Sequence, residues 1–230
     1  MSLVVKNLTH TYTGPQLPDN KVLSGITFSL NAGDQLLLRG ISGSGKTTLI
    51  NILAGLLSPT AGTVSLANQS IYKLNEGERD DWRRQHIGYV FQTHHLLPLL
   101  NAWENVAMPL SFRGIARRQT KEAALRFLQM VGLQKHANHR PEQLSTGQRQ
   151  RVAIARALVN EPALILADEP TASLDQDAAA NVLDMLQASC KEQGAILIVA
   201  SHDPALNDRF ENKADLVYGK FELSKDLLTT

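Results

Sequence analysis

The chain has 230 residues, 43% of them hydrophobic and 20% charged, the composition of a globular protein long enough to bury a sizeable core. A formal charge of +1 excludes a global electrostatic pull toward nucleic acid or an anionic membrane. A single cysteine, Cys190, excludes an internal disulfide; it lies in a polar helical stretch with no motif around it, and no role is expected for it.

The first residues, MSLVVKNLTH, lack the charged and apolar regions of a signal peptide, and no apolar run reaches the roughly 20 residues that span a bilayer. A cytoplasmic protein is expected, with any membrane role exercised through a partner. Strands are predicted over Leu3–Tyr12, Lys21–Leu30 and Gln35–Arg39, with a Gly/Pro-rich loop at Gly14–Asn20. A helix from Lys46 to about Gly55 and a short strand near Thr63–Leu66 follow.

From about Asn75 to Val131 the pattern is helical apart from Ile87–Phe91, with a proline-bearing, loop-like stretch His94–Pro109 and apolar positions at helical spacing over Thr120–Val131. After Gln148 come a helix, strand Ala163–Ala167, helix Asp175–Gln193, strand Ala195–Ala200 and a short hairpin around Tyr218–Phe221. The uninterrupted apolar runs Ala163–Ala167 and Ile196–Ala200 predict strands buried on both faces of a parallel sheet, joined by crossover helices. The expected fold is α/β, with a central, mainly parallel sheet, an N-terminal antiparallel β subdomain and a helical subdomain. The core is expected over 1–92 and 160–230, and the helical subdomain over about 93–159. The basic clusters Arg113–Arg118 and Arg149/Arg151 read as solvated helix faces rather than a nucleic-acid site.

Gly40-Ile41-Ser42-Gly43-Ser44-Gly45-Lys46-Thr47 matches G-x-x-x-x-G-K-[ST] between a predicted strand and a predicted helix. Glycines let backbone N–H groups curl around phosphates, and the helix N-terminus adds partial positive charge. Lys46 is expected to reach the β- and γ-phosphates, and the Thr47 hydroxyl to ligate Mg²⁺. The candidate nucleotide-binding residues here are Gly40, Ser42, Gly43, Ser44, Gly45, Lys46, Thr47 and Thr48.

The strand Ala163–Ala167 runs into Asp168 and Glu169. Two carboxylates at a buried strand end are costly unless compensated, which Mg²⁺ does for Asp168 through its water shell. Glu169, one residue further, is placed to polarise an attacking water. Ser145-Thr146-Gly147-Gln148 reads as a capping box, used by many ordinary helices, and also as a helix start that offers N–H groups and a hydroxyl to an anion. His94 and His95, adjacent on a loop, are expected at the surface rather than on a metal.

Taken together, LSTGQ, GISGSGKT and ALILADE resemble the ATP-binding subunit of ABC transporters, over essentially the whole chain. The resemblance implies a P-loop NTPase with a RecA-like core that uses ATP and Mg²⁺. It also implies a sandwich dimer, in which the LSTGQ turn of one copy (Ser145, Gly147, Gln148) faces the ATP held by the other. By the same resemblance Tyr12 would stack on adenine, Gln92 would touch Mg²⁺ and the attacking water, and His202 would contact the γ-phosphate. Each also has an ordinary use: Tyr12 as a strand aromatic, Gln92 as a loop amide, His202 as a helix cap before Asp203-Pro204. Ser173-Leu174-Asp175 matches a further family turn, with Asp175 near the seam between copies. The signature more often reads LSGGQ, and Thr146 stands in place of the first glycine. A Cβ is tolerated there if Thr146 is the first helical residue, although it could crowd the partner's phosphate and slow turnover.

The segments HHLLPLLNAWENVAMPLSFRG and ADEPTASLD resemble the group that includes lipoprotein-releasing, macrolide-exporting and cell-division-associated ATPases. The implied partners are a second copy and an integral-membrane permease subunit, on the cytoplasmic side of the inner membrane, with no nucleic acid. Two other readings stand beside this one: a regulatory ABC ATPase that acts on cell-envelope enzymes without transport, and a soluble ABC ATPase associated with nucleic acid.

Overall fold

A computed structural model describes residues 1–14, 17–172 and 174–223. In chain order the elements are β1 (Ser2–Gly14), β2 (Leu17–Asn31), β3 (Gln35–Arg39), α1 (Lys46–Leu53), β4 (Ala61–Leu66), β5 (Gln69–Ser70), α2 (Glu76–His86) and β6 (Ile87–Val90). They continue with α3 (Ala102–Phe112), α4 (Arg117–Met130), α5 (Thr146–Leu158), β7 (Leu164–Asp168), α6 (Gln176–Gln193), β8 (Ile196–Ser201), β9 (Asn212–Val217) and β10 (Lys220–Leu223). The chain forms two compact units, Met1–Arg83 with Ile196–Thr230, and Arg84–Ala195.

In the first unit, β2, β1, β4 and β5 lie side by side in an antiparallel sheet. Along β1 the alternation of Leu3, Val5, Leu8 and His10 into the core breaks at Asn7, whose φ of 48° marks the register shift between Val5 and Leu8. The segment expected as a loop over Gly14–Asn20 is strand from Leu17 onward, with Tyr12 opposite Asn20 and Gly14 opposite Leu17; Pro15 and Gln16 lie outside the described residues. Turn-forming residues mislead here because β2 is an edge strand, where a proline costs no ladder bond on the open side.

Also in this unit, β3 pairs in parallel with β8 on one side and β9 on the other, and β10 returns antiparallel to β9. The apolar runs of β3 and β8 are buried throughout their centres, as two-sided strands must be. The hairpin around Tyr218–Phe221 is larger than its sequence suggests, because β9 gains its strand character from pairing with β3.

In the second unit β6 and β7 pair in parallel, α5 packs on β6, and α3, α4 and α6 pack on α5. The stretch His94–Pro109, expected as loop, contains most of α3. Asn101 and Glu104 form a reciprocal capping box, Ala102 N donates to His139 O, and Trp103 N donates to Ala137 O, so the first turn is satisfied before Pro109 is reached. Pro109 lies in the last turn, where it removes a single helical N–H. Cys190 is fully buried, and its thiol donates to Ala195 O at 2.7 Å.

Candidate functional site

In the first unit, β3 ends at Arg39 and the chain turns through Gly40–Gly45 into α1. Gly45 is the N-cap, with φ 103°, and a Cβ there would lie 2.8 Å from Val22 Cγ1. A glycine N-cap brings no side-chain acceptor to the first turn of α1, the positive end of the helix dipole. Lys46 is buried and folds back over the loop, its Nζ donating to Gly40 O at 2.6 Å and Ile41 O at 3.2 Å. Ser44 Oγ is buried with no hydrogen-bond partner among the described residues. Thr47 is exposed and Thr48 buried. The loop thus combines a cation, a helix start and an unsatisfied hydroxyl, the donor set that an anionic phosphate requires.

Tyr12 and His202 belong to the same unit. The Tyr12 hydroxyl lies 3.2 Å from Thr48 Oγ1, and its ring packs edge-on against buried His10 with centroids 4.6 Å apart, leaving Tyr12 46% exposed. His202 is exposed just past β8. The cap of the following 204–209 turn is Asp203, whose carboxylate accepts from Ala205 N, so His202 is not the cap. His202 lines a cavity of about 750 Å³ together with Gly40, Ser42, Gly43 and Ser44. Arg39, held by Asp215 and Asn207, lines it too, a position for which the sequence carried no signal.

In the second unit, Val90 of β6 stands opposite Ala167 of β7, so the two parallel strands deliver Gln92 and the Asp168–Glu169 pair to one sheet edge. Gln92 is exposed, while Asp168 and Glu169 are buried. Glu169 has φ 48°, a left-handed conformation unusual for its residue type and a frequent mark of functional turns. The Tyr89 hydroxyl is pushed well above its usual range by burial and then by the Asp168 carboxylate.

The signature turn opens α5. Ser145 is the N-cap; its side chain accepts from Gln148 N at 3.2 Å, while Gln148 Oε1 accepts from Ser145 N at 2.9 Å. Thr146 is the first helical residue, the position at which a Cβ is tolerated. Gln148 Nε2 lies 3.3 Å from His136 Nε2, a neighbour the sequence did not single out. Among the described residues a Cβ on Gly147 would meet only Leu174 Cδ2, at an ordinary 3.7 Å, and the φ of Gly147 is not positive. Asp175 caps α6 through Ala178 N, and Ser173 lies outside the described residues.

One expectation about basic residues changes. Arg149 and Arg151 are half-buried and donate to backbone carbonyls, Arg149 to Leu144 and Arg151 to Val131, rather than forming a solvated face. Arg156, deep in α5, donates to the carbonyls of His94 and His95 beside Gln92. The one signal for it was a charge inside the apolar run VAIARAL.

The family model described as ABC transporter matches residues 23–172. The chain belongs to the ABC transporter family. It is 43% identical over 226 residues, 98% of each chain, to the lipoprotein-releasing system ATP-binding protein LolD of Hydrogenovibrio crunogenus. It is 42% identical over 220 residues to a putative hemin import ATP-binding protein, HrtA, of Staphylococcus aureus, covering 96% of this chain and 99% of that one. Among solved structures it is similar to a dimeric, post-hydrolysis state of the ATP-binding cassette MJ0796 bound to ADP and Pi. The TM-score there is 0.89 at 37% identity, over 99% of this chain and 100% of that one. This ABC protein is an ATP-binding and ATP-hydrolysing transporter subunit with the α/β cassette fold.

Proposed function

We propose that two copies of this chain close on ATP and drive an integral-membrane permease of the lipoprotein-releasing type from the cytoplasmic face of the membrane. In each copy the loop Gly40–Thr48 holds the phosphates, with Lys46 swinging from the Gly40 and Ile41 carbonyls to the β- and γ-phosphates, and Tyr12 stacks on the adenine. Glu169 draws the proton from the attacking water, and His202 steadies the charge that develops on the γ-phosphate. Thr47, Asp168 and Gln92 are the residues that would hold Mg²⁺; the buried Asp168 carboxylate fits a cation, which when bound neutralises charge on the transferring phosphoryl group.

The observation that carries the two-copy reading is Gly147. Neither its backbone conformation nor its own packing calls for glycine, and glycine costs a helix about 1 kcal/mol against alanine. The room it leaves is for a body outside the chain, which we take to be the γ-phosphate of a second copy, met by Ser145 and Gln148. The likeness to a dimeric cassette bound to ADP and Pi supports the same reading. No helix of the described residues is long and apolar enough to cross a membrane, which fits a permease carried on a separate chain. The near-equal identity to HrtA supports a second reading, with a different cargo and the same engine.

Mixing two crippled chains tests the shared site. Glu169→Gln keeps ATP binding but loses hydrolysis by about 100-fold or more, and Ser145→Arg binds ATP alone without dimerising on it. Mixed, they form one intact composite site, and hydrolysis returns; a mixture no more active than its components refutes the two-copy reading. Co-purification with a membrane subunit, followed by a lipoprotein-release assay, tests the cargo.

A further inference from the structure

We infer that Arg149 is a positioning residue for the signature turn, holding the Thr146 side chain against its own chain so that residues 145–148 keep an open face. The inference rests on the two-copy reading above and concerns the position where this chain departs from the common LSGGQ pattern. A threonine in a first helical turn divides between two χ1 rotamers, because its hydroxyl competes for backbone partners. Here that freedom matters, since Thr146 sits between Ser145 and Gly147.

Arg149 stands three residues on, the spacing that brings side chains together on one helix face. Its Nη2 donates to Thr146 Oγ1 at 3.0 Å, and its Nη1 donates to Leu144 O at 2.8 Å and to Pro141 O at 3.4 Å. One planar fork therefore ties the turn that precedes the N-cap to the residue that follows it, spanning Ser145. Lysine cannot reproduce this, because an ammonium is a compact point charge without the rigid pair of donor edges. The capping box between Ser145 and Gln148 holds the backbone independently, so what Arg149 adds is command of one side chain. Its charge also reaches His94, near Gln92.

A double-mutant cycle on the full-length chain tests this. Arg149→Ala is expected to lower kcat for ATP hydrolysis about tenfold, with the ATP affinity of single chains unchanged. Arg149→Lys should not rescue it. In a Thr146→Gly background the same alanine substitution should change kcat by less than about twofold. Arg149→Gln, which keeps a polar helix residue, runs alongside and should follow the same pattern. Equal losses in both backgrounds, or no loss in either, overturn the inference. Ser145→Arg separates it from its foundation. If that variant still dimerises on ATP and hydrolyses like the parent, the two-copy reading fails; if it does not, equal losses in the cycle sink the Arg149 role alone.

Discussion

Arg156 Nη1 and Nη2 donate to the carbonyl oxygens of His95 and His94, each at 2.6 Å, across 61 and 62 positions of sequence. Both histidines have left-handed backbone, with φ 47° and 61°, so one buried guanidinium holds a strained turn two residues past Gln92. Burial brings the Arg156 pKa down to about 10, which leaves it charged at neutral pH. Arg156→Ala is expected to destabilise the chain by about 2–4 kcal/mol, because charge-assisted bonds are lost and two carbonyls are left poorly satisfied. Arg156→Lys should recover only part of this. Urea denaturation gives the number, and an unchanged midpoint for Arg156→Ala contradicts the clamp.

Lys46→Ala should weaken nucleotide binding at least about tenfold, the worth of one charge-assisted contact to a phosphate. The fold should survive, since Lys46 donates to loop carbonyls that water can reach once the side chain is gone. A fluorescent-nucleotide titration on the single chain reads the affinity, with the thermal midpoint measured in parallel.

Gly88→Ala probes how closely β6 and α5 approach. A Cβ at position 88 would lie 2.4 Å from Ala157 O and 2.8 Å from Pro162 Cγ, and a backbone oxygen in a helix cannot step aside. A loss of about 2–3 kcal/mol is expected, within the range of overpacked cores. Denaturant unfolding of the variant and its parent decides it.

His94 ties stability to pH. Burial, then the charges of Arg149, Arg156 and His95, holds its imidazole below the ordinary value of 6.5. As pH falls below 6.5 the unfolded chain takes up this proton before the folded one does. Stability present above that pH is therefore lost on the way down toward the folded pKa. His94→Asn keeps a residue that tolerates left-handed backbone and removes the titration. Thermal midpoints between pH 7.5 and 5.5 should fall less steeply in the variant than in the parent; parallel curves would falsify the linkage.

Much of this architecture could be read from the chain alone, because its signals are local. Gly45 before Lys46, Ser145 three residues before Gln148 and the apolar run into Asp168 each state their conformation within a few residues. The misses have one cause. Leu17–Asn20 is strand because β1 lies beside it, and α3 passes through Pro109 because Asn101, Glu104 and two carbonyls near residue 138 secure its start. Turn chemistry and proline are weighed one residue at a time in a sequence, whereas the fold weighs them against partners far along the chain.

The cassette is written locally, in a glycine-rich loop before a helix, an acidic strand end and a signature turn, each specified by covalent neighbours and helix periodicity. Which charges are bound, and to what, was settled by packing between distant parts of the chain. Arg149 and Arg151 resemble a solvated face in one dimension, yet half-buried guanidinium groups must find acceptors, and Leu144 and Val131 supply them. Arg156 finds its acceptors some sixty positions away, at a distance where no local pattern operates and only packing can choose.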